Sequence, residues 1–189
     1  KSAPLKEFTD MKHIALKKKW SKEDLSGSFF GGWDKDNLYF ALKITDDKHF
    51  NKYGYNPMLL WQGDALQFAI NFRHDITDFY GSDDLEIGFA LTDDGKVIRN
   101  GWAPFYSDDY GYVQEVEIAI NREGTTTVYE LRIPRDILGD EFKDNREIGI
   151  CFGVSDNDDG EEFNGGLILS RGIYGSKNPG FFMTMILED

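Results

Sequence analysis

The stretch Trp61-Gln-Gly-Asp-Ala-Leu-Gln-Phe-Ala-Ile-Asn-Phe72 contains the pattern that decides the fold. From position 66 to position 72 every second residue is large and apolar, and the residues between them are small or polar. Successive side chains of a β-strand point to opposite faces, so this alternation predicts a half-buried strand with one face in a core.

Trp61 and Asp64 come just before this strand, and we expect both in the loop that leads into it. An indole ring can cover the apolar C–H face of a pyranose, while neighbouring amides and carboxylates bind its hydroxyl groups. The stretch is therefore compatible with a sugar-binding site at the entrance of the strand. The alternative is that Trp61 only caps the core from its edge.

The same alternation recurs along the chain and predicts strands at 38–45, 85–91, 116–120, 129–133 and 148–154. Shorter apolar runs predict further strands at 13–16, 28–33, 167–169 and 181–187. The only helical element predicted is a single turn at 135–138. Short strands at this spacing favour an all-β fold, a two-sheet antiparallel β-sandwich of jelly-roll-like type, with residues 1–189 in one domain.

The charge of the chain narrows the choice of partners. Its 34 acidic and 21 basic residues give a formal net charge of −13. Nucleic acids and anionic membranes need a basic patch, so neither is expected as a partner. No apolar run approaches the roughly 20 residues of a membrane-spanning helix, and no signal-peptide pattern is present. Because the chain starts at Lys1 without an initiator Met, we expect a mature or excised domain of a larger protein.

Pairs of aspartates recur in the predicted loops, and loop carboxylates are typical ligands of Ca²⁺. The densest run is Asp156-Asn-Asp-Asp-Gly160, which does not match the EF-hand pattern. Asp156, Asp158 and Asp159 are candidate ligands of a structural Ca²⁺, and Asp46 and Asp47 form a second candidate pair. The alternative is that aspartate simply favours turns.

Evidence for catalysis is weak. The three histidines, His13, His49 and His74, are scattered and match no zinc-hydrolase motif. Glu115 and Glu117 are expected on one strand face at a separation that a glycosidase could use. Paired acids on a solvated face are common in so acidic a chain, so we expect a binding domain and keep a sandwich glycosidase as an alternative.

Aromatic residues in the predicted loops are the remaining candidates for recognition. They are Trp61, Trp102, Tyr106, Tyr110 and Tyr174. An aromatic platform beside amides and acids is the simplest route to binding a neutral sugar, and one solvent-facing pair would be enough.

Several motifs, in this order and spacing, resemble the family 9 carbohydrate-binding modules and their DOMON-like relatives over residues 27–187. They are Trp33-Asp34, Leu38-Tyr39, Thr45-Asp46-Asp47, Trp61-x-x-Asp64, Leu66-Gln67-Phe68, Tyr129 to Pro134, Ile148 to Asp156, and Lys177-Asn-Pro179. The resemblance implies a β-sandwich that binds the ends of plant polysaccharides such as xylan or cellulose. The sugar would lie between two aromatic side chains, with structural Ca²⁺ nearby.

In this resemblance Trp61 occupies the position of one stacking Trp. The second Trp belongs near residues 170–171, where this sequence has none, and Tyr174 is the nearest candidate. The family commonly has Glu where this chain has Gln67. Asp64, Gln67 and Lys177 are the candidate polar contacts, although Asp64 could instead orient the loop.

The resemblance also suggests an extracellular or cell-surface location, as a non-catalytic accessory domain of a protein that degrades polysaccharides. A purely structural or protein-binding sandwich is an alternative. A haem-binding DOMON domain is another, and it would need an axial ligand such as Met58, Met183 or Met185.

Overall fold

A computed structural model describes residues 4–16, 19–104, 112–161 and 163–188. The strands are β1 (Lys6–Phe8), β2 (Ile14–Ala15), β3 (Leu25–Trp33), β4 (Asn37–Asp46), β5 (Ala65–Asn71), β6 (Asp84–Leu91), β7 (Val97–Ala103), β8 (Glu117–Glu123), β9 (Thr126–Pro134), β10 (Glu147–Asp156), β11 (Gly165–Ile168) and β12 (Met183–Ile186). The helical pieces are α1 (Tyr112–Glu115) and short 3₁₀ turns at Met11–His13, Tyr53–Tyr55, Pro57–Gln62, Asp140–Phe142 and Pro179–Phe181.

The strands form two antiparallel sheets. The smaller has the order β1-β3-β4-β9-β8, and the larger has the order β2-β11-β10-β5-β6-β7. One edge of β10 pairs with β11 near its end and with β12 near its start, while the other edge pairs with β5. The predicted all-β, two-sheet antiparallel sandwich is confirmed.

The core lies between the sheets and consists of the residues that the alternation places inward. Phe152 of β10 is fully buried and packs against three other rings: Phe8 at 5.4 Å, Phe29 at 5.1 Å and Phe68 at 6.3 Å between centroids. Leu66, Phe68, Ile70 and Phe72 belong to the same core, as predicted. Burial of this many large apolar side chains is the main stabilising term of the fold.

The outer face of the larger sheet is also buried, which corrects the expectation of a half-buried strand at 65–71. Every residue of β5 is buried, because long loops cover the face that the alternation assigned to solvent. Rings from these loops lie over glycines of the sheet. A Cβ at Gly153 would be 2.7 Å from the Tyr174 ring, and one at Gly166 would be 3.1 Å from the same ring. Glycine lets a ring approach the backbone closely, so a second buried layer forms there.

Several local predictions were wrong. Strands β1 and β7 were missed, and β7 includes Trp102, which was expected in a loop. Residues 135–138 form turns rather than a helical turn. Glu115 ends α1 while Glu117 begins β8, where it pairs with Arg132, so the two acids do not share a strand face.

Two further sequence features can be located in the fold. Within the described residues no helix is both long and apolar enough to cross a membrane. Cys151 is fully buried in β10, and burial raises the pKa of its thiol to about 11.

We expect Phe152→Ala to destabilise the protein by about 3–5 kcal/mol, because it removes a ring from the centre of the core and leaves a cavity. The measurement is denaturant unfolding followed by circular dichroism. Phe79→Ala is the matched control, since Phe79 is 81% exposed and its loss should change the free energy of unfolding by less than about 0.5 kcal/mol. Equal effects of the two changes would contradict this description of the core.

Candidate functional site

A cavity of about 380 Å³ opens on the covered outer face of the larger sheet. Its lining combines aromatic rings with an amide and an ammonium group. The lining residues are Leu16, Trp61, Gln67, Trp102, Phe163, Ile173, Tyr174, Gly175 and Lys177. Four of the five predicted ligand-binding residues, Trp61, Gln67, Tyr174 and Lys177, therefore meet in one place.

Trp61 lies in the 3₁₀ turn Pro57–Gln62 and keeps 38% of its surface exposed. Its ring packs edge-on against Phe163 at 6.1 Å, and Phe163 packs edge-on against Tyr174 at 5.6 Å. The three rings form a continuous wall, so Trp61 faces the cavity and does more than close the core.

Tyr174 is a fixed part of this wall. Its ring lies over Gly153 and Gly166, and its hydroxyl shares a hydrogen bond of 2.9 Å with Ser155. Burial raises the pKa of the phenol, which stays protonated at any physiological pH. A ligand can therefore contact the ring as an apolar surface, while the hydroxyl is already hydrogen-bonded to Ser155 of β10.

Trp102 and Phe163 are the two aromatic residues of the described cavity lining that were not selected as ligand contacts. Trp102 had been considered only as one of several loop aromatics. Trp102 is the extra residue of a β-bulge, because Ala103 pairs with Glu86 and Gly101 pairs with Ile87. A bulge redirects a side chain, and here the indole lies directly over Gly88, where a Cβ would overlap the ring. The alternation of apolar and polar residues cannot reveal a bulge. Once the pairing of two strands is known, however, a Gly across from a Trp indicates that the indole ring lies over the glycine.

The polar part of the cavity is organised by Glu86, which is fully buried. Its Oε1 accepts a hydrogen bond of 3.1 Å from Gln67 Nε2 and forms an ion pair with the ammonium group of Lys177. The Lys177 ammonium also lies 5.1 Å from the centroid of the Trp102 ring. Burial and the Glu86 carboxylate raise the pKa of Tyr80 beside it. The Lys177 charge is thus compensated within the protein.

Asp64 does not line the cavity. Its carboxylate accepts hydrogen bonds from the backbone N–H of Phe50 at 2.6 Å and of Asn157 at 3.2 Å, which ties two loops together. Burial, and then the charges of Asp46 and Asp156, raise its pKa well above the usual range. Asp64 therefore positions the segment that carries Trp61, the alternative role considered for it.

Asn51 and Asn157 support the same segment and were not singled out from the sequence. Asn51 Nδ2 donates to Leu60 O at 2.9 Å, and Asn157 Nδ2 donates to Gln62 O at 2.8 Å. Leu60 and Gln62 are the residues before and after Trp61, so these two hydrogen bonds fix the backbone on both sides of it.

Of the five proposed metal ligands, Asp46, Asp47 and Asp158 fall into two groups, and Asp156 and Asp159 belong to neither. Asp46 lies with His49 and Asp64, and Asp47 lies with Asp158 and Asp24; in each group the ligand atoms are within 4.8 Å of one another. Asp156 is fully buried beside Asp64. Asp159 is exposed and accepts the N–H of Glu161 at 2.9 Å within its own turn. The structure thus joins Asp47 to Asp158 and adds Asp24, which the sequence analysis did not select.

Three further residues were considered in the sequence analysis, two as sugar contacts and one as a haem ligand. Tyr106 and Tyr110 lie outside the described residues. Met58 is 63% exposed, and the described lining of the cavity includes neither Met nor His. The described lining therefore contains none of the axial ligands that a haem domain would need.

The chain is similar to several known proteins. The family model described as Carbohydrate family 9 binding domain-like matches residues 5–189. A family 9 carbohydrate-binding module from Caldicellulosiruptor kristjanssonii, solved with glucose, is 16% identical, with a TM-score of 0.68 over 92% of this chain and 82% of that one. Its complex with cellotriose gives 16% identity and a TM-score of 0.67 over 93% and 81%.

A protein from Bacteroides uniformis ATCC 8492 is 12% identical, with a TM-score of 0.59 over 93% of this chain and 85% of that one. No curated protein matches the sequence. At these identities the structural matches establish the fold.

We expect Gly88→Ala to displace the Trp102 ring, because the new Cβ overlaps it. The free energy of unfolding should fall by about 1–3 kcal/mol, and the tryptophan emission should shift to longer wavelength. Gly32→Ala is the matched control, since a Cβ at Gly32 meets nothing within 4 Å. An unchanged emission spectrum for Gly88→Ala would contradict the placement of Trp102.

Proposed function

Because the chain belongs to the carbohydrate family 9 binding domain-like family, whose members are non-catalytic binding modules, we propose that its cavity binds the end of a neutral plant-type polysaccharide. The observation that carries this proposal is the meeting of Trp61, Trp102 and Tyr174 around one polar patch. Sugar rings have apolar C–H faces that stack on aromatic rings and hydroxyl groups that need hydrogen-bond partners. Xylan- and cellulose-like chains carry both.

The size of the cavity supports a chain end as the ligand. A volume of about 380 Å³ is near the lower limit for ligand pockets. It suits one or two sugar rings better than a long stretch of polysaccharide. The relatives solved with glucose and with cellotriose make a glucan-type end the first ligand to test.

The electrostatics of the cavity support a neutral sugar. Lys177 is the one cationic residue in the described lining, and Glu86 already pairs with it. A uronic acid would have to compete with a fully buried carboxylate for that ammonium group. It would also approach a chain with a net charge of −13.

Binding is expected to be modest. One or two stacked rings and a few hydrogen bonds that compete with water give about 4–7 kcal/mol, or millimolar to micromolar affinity. Such affinity suits an accessory domain of an extracellular or cell-surface protein that works on polysaccharides, and we place the chain in that setting.

We also propose a structural Ca²⁺ held by Asp24, Asp47 and Asp158. Leu25 and Asp46 are ladder partners, so Asp24 and Asp47 lie at the same end of β3 and β4, and Asp158 reaches them from the loop after β10. Carboxylate oxygens are the ligands that Ca²⁺ prefers, and a bound ion would neutralise their mutual repulsion. The group around Asp46 fits less well, because Arg122 Nη1 is 3.0 Å from Asp46 Oδ2 and the third member is the His49 nitrogen.

We expect Trp61→Ala and Trp102→Ala each to weaken binding of cello-oligosaccharides by about tenfold or more, because each removes an aromatic surface from the ligand. The measurement is isothermal titration calorimetry with glucose, cellotriose and xylo-oligosaccharides. Tyr55→Ala is the control: Tyr55 is 76% exposed and lies outside the cavity. Unchanged affinity in both tryptophan variants, with folding intact, would remove the cavity from the binding function.

For the calcium site we expect EDTA to lower the melting temperature of the wild type and to lower that of Asp158→Asn much less. Removing the ion restores the repulsion between the three carboxylates of this group, whereas an ion bound only to the folded state stabilises it. The measurement is a thermal melt by circular dichroism at several calcium concentrations. The same calcium dependence in wild type and variant would rule out Asp158 as a ligand.

A further inference from the structure

Glu86 reaches the cavity only through the two polar residues that line it. Its side chain is fully buried and does not belong to the described lining. Its Oε1 nevertheless contacts two lining groups at once, accepting a hydrogen bond of 3.1 Å from Gln67 Nε2 and pairing with Lys177 Nζ. One buried oxygen atom therefore holds an amide and an ammonium group side by side.

The bond to Glu86 decides which end of the Gln67 amide faces a ligand. An ionised carboxylate only accepts hydrogen bonds, so the NH₂ group of Gln67 turns towards Glu86 and the carbonyl oxygen Oε1 turns away from it. Among the described residues Oε1 has no hydrogen-bond donor, and it is not one of the enclosed atoms that lack a partner. Because Gln67 lines the cavity, this oxygen is open to a ligand as an acceptor.

The ion pair also leaves the Lys177 ammonium group with donors for a ligand. An ammonium group has three N–H donors, and Glu86 takes one of them. The Lys177 side chain keeps 38% of its surface exposed, and its Nζ lies 5.1 Å from the centroid of the Trp102 ring. The donors that Glu86 does not take are therefore open to the cavity beside an aromatic wall.

An acceptor and a donor side by side match hydroxyl groups. Two neighbouring hydroxyls of a sugar ring can donate a hydrogen bond to Gln67 Oε1 and accept one from Lys177. A carboxylate only accepts, so it would face the Gln67 oxygen and the charge of Glu86. An ammonium group only donates, so it would face the charge of Lys177. Like charges at short range are unfavourable where water is partly excluded.

We propose that Glu86 restricts the cavity to neutral sugars, selecting a pair of neighbouring hydroxyl groups and rejecting both uronic acids and amino sugars. This inference rests on the proposed function and adds the residue that determines its ligand class. Glu86 is a positioning residue, because it acts on a ligand only through Gln67 and Lys177. Specificity of this kind comes as much from penalties against the wrong ligand as from contacts with the right one.

The charge of Glu86 has no substitute in the described part of the cavity. The described lining contains no acidic residue. Tyr80 is the polar group next to Glu86, and burial raises the pKa of its phenol, so it stays neutral. Without the Glu86 charge, the Lys177 ammonium would be an uncompensated cation at an apolar wall, and a carboxylate ligand would become its partner.

The test uses three monosaccharides with the same ring and different charges: glucose, glucuronate and glucosamine. Binding is measured by tryptophan fluorescence titration at about pH 6, where the carboxylate is ionised and the amine is protonated. We expect the wild type to bind glucose at least about tenfold more tightly than either charged sugar. In Glu86→Gln the preference for glucose over glucuronate should fall by about tenfold or more, while glucosamine should stay weak.

Three variants show whether the charge itself is responsible. Glu86→Asp keeps the charge and should keep the order of the three sugars. Adding Lys177→Met to Glu86→Gln should abolish the gain for glucuronate, because the ammonium group that attracts it is gone. Glu130→Gln is the matched control: Glu130 is exposed on β9 of the smaller sheet and loses the same charge, and the order of the sugars should not change.

Two results would overturn the role of Glu86 while leaving sugar binding intact. One is a wild type that binds glucuronate or glucosamine as tightly as glucose, a result that needs no variant. The other is a folded Glu86→Gln that keeps the wild-type ratio of glucose to glucuronate. A wild type that binds none of the three sugars and no cello-oligosaccharide would overturn the proposed function itself, and this inference with it.

Discussion

The structure depends on the burial of both faces of β5 and β10. The inner face packs on the smaller sheet in the usual way of a sandwich, and the outer face is covered by loops. A strand covered on both sides cannot send its polar groups to water, so each must find a partner within the covering layer. The cavity and the ion pair at its base both follow from this requirement.

The covering layer is held by aromatic rings that lie on glycines. Gly88 lies beneath the Trp102 ring and Gly153 beneath the Tyr174 ring, and neither glycine could carry a Cβ without pressing on that ring. Rings held against the sheet in this way leave a space between them whose walls are apolar and rigid. A rigid apolar wall is what stacking on a sugar ring requires, because little order has to be created on binding.

The inner face of the larger sheet could be predicted from the sequence, but the covered outer face could not. Alternation identifies the inner face directly, so Leu66 and Phe68 were assigned correctly. The outer face looks solvated in sequence because Gln67 and Glu86 are polar, and only the three-dimensional pairing shows that they satisfy each other. Trp102 was one of several candidate aromatics and was expected in a loop, because a bulge breaks the period on which strand prediction rests.

The acids buried near the start, the middle and the end of β5 are neutralised in different ways. At the start of β5, Arg122 from the smaller sheet pairs with Asp46. In the middle, Lys177 from a covering loop pairs with Glu86 and thereby becomes part of the cavity. At the end of β5, Asp84 accepts a hydrogen bond of 2.7 Å from the Gly81 N–H, and burial raises its pKa to about 7. A buried carboxyl with a raised pKa is neutralised by binding a proton, so this end of the strand needs no cationic side chain below about that pH.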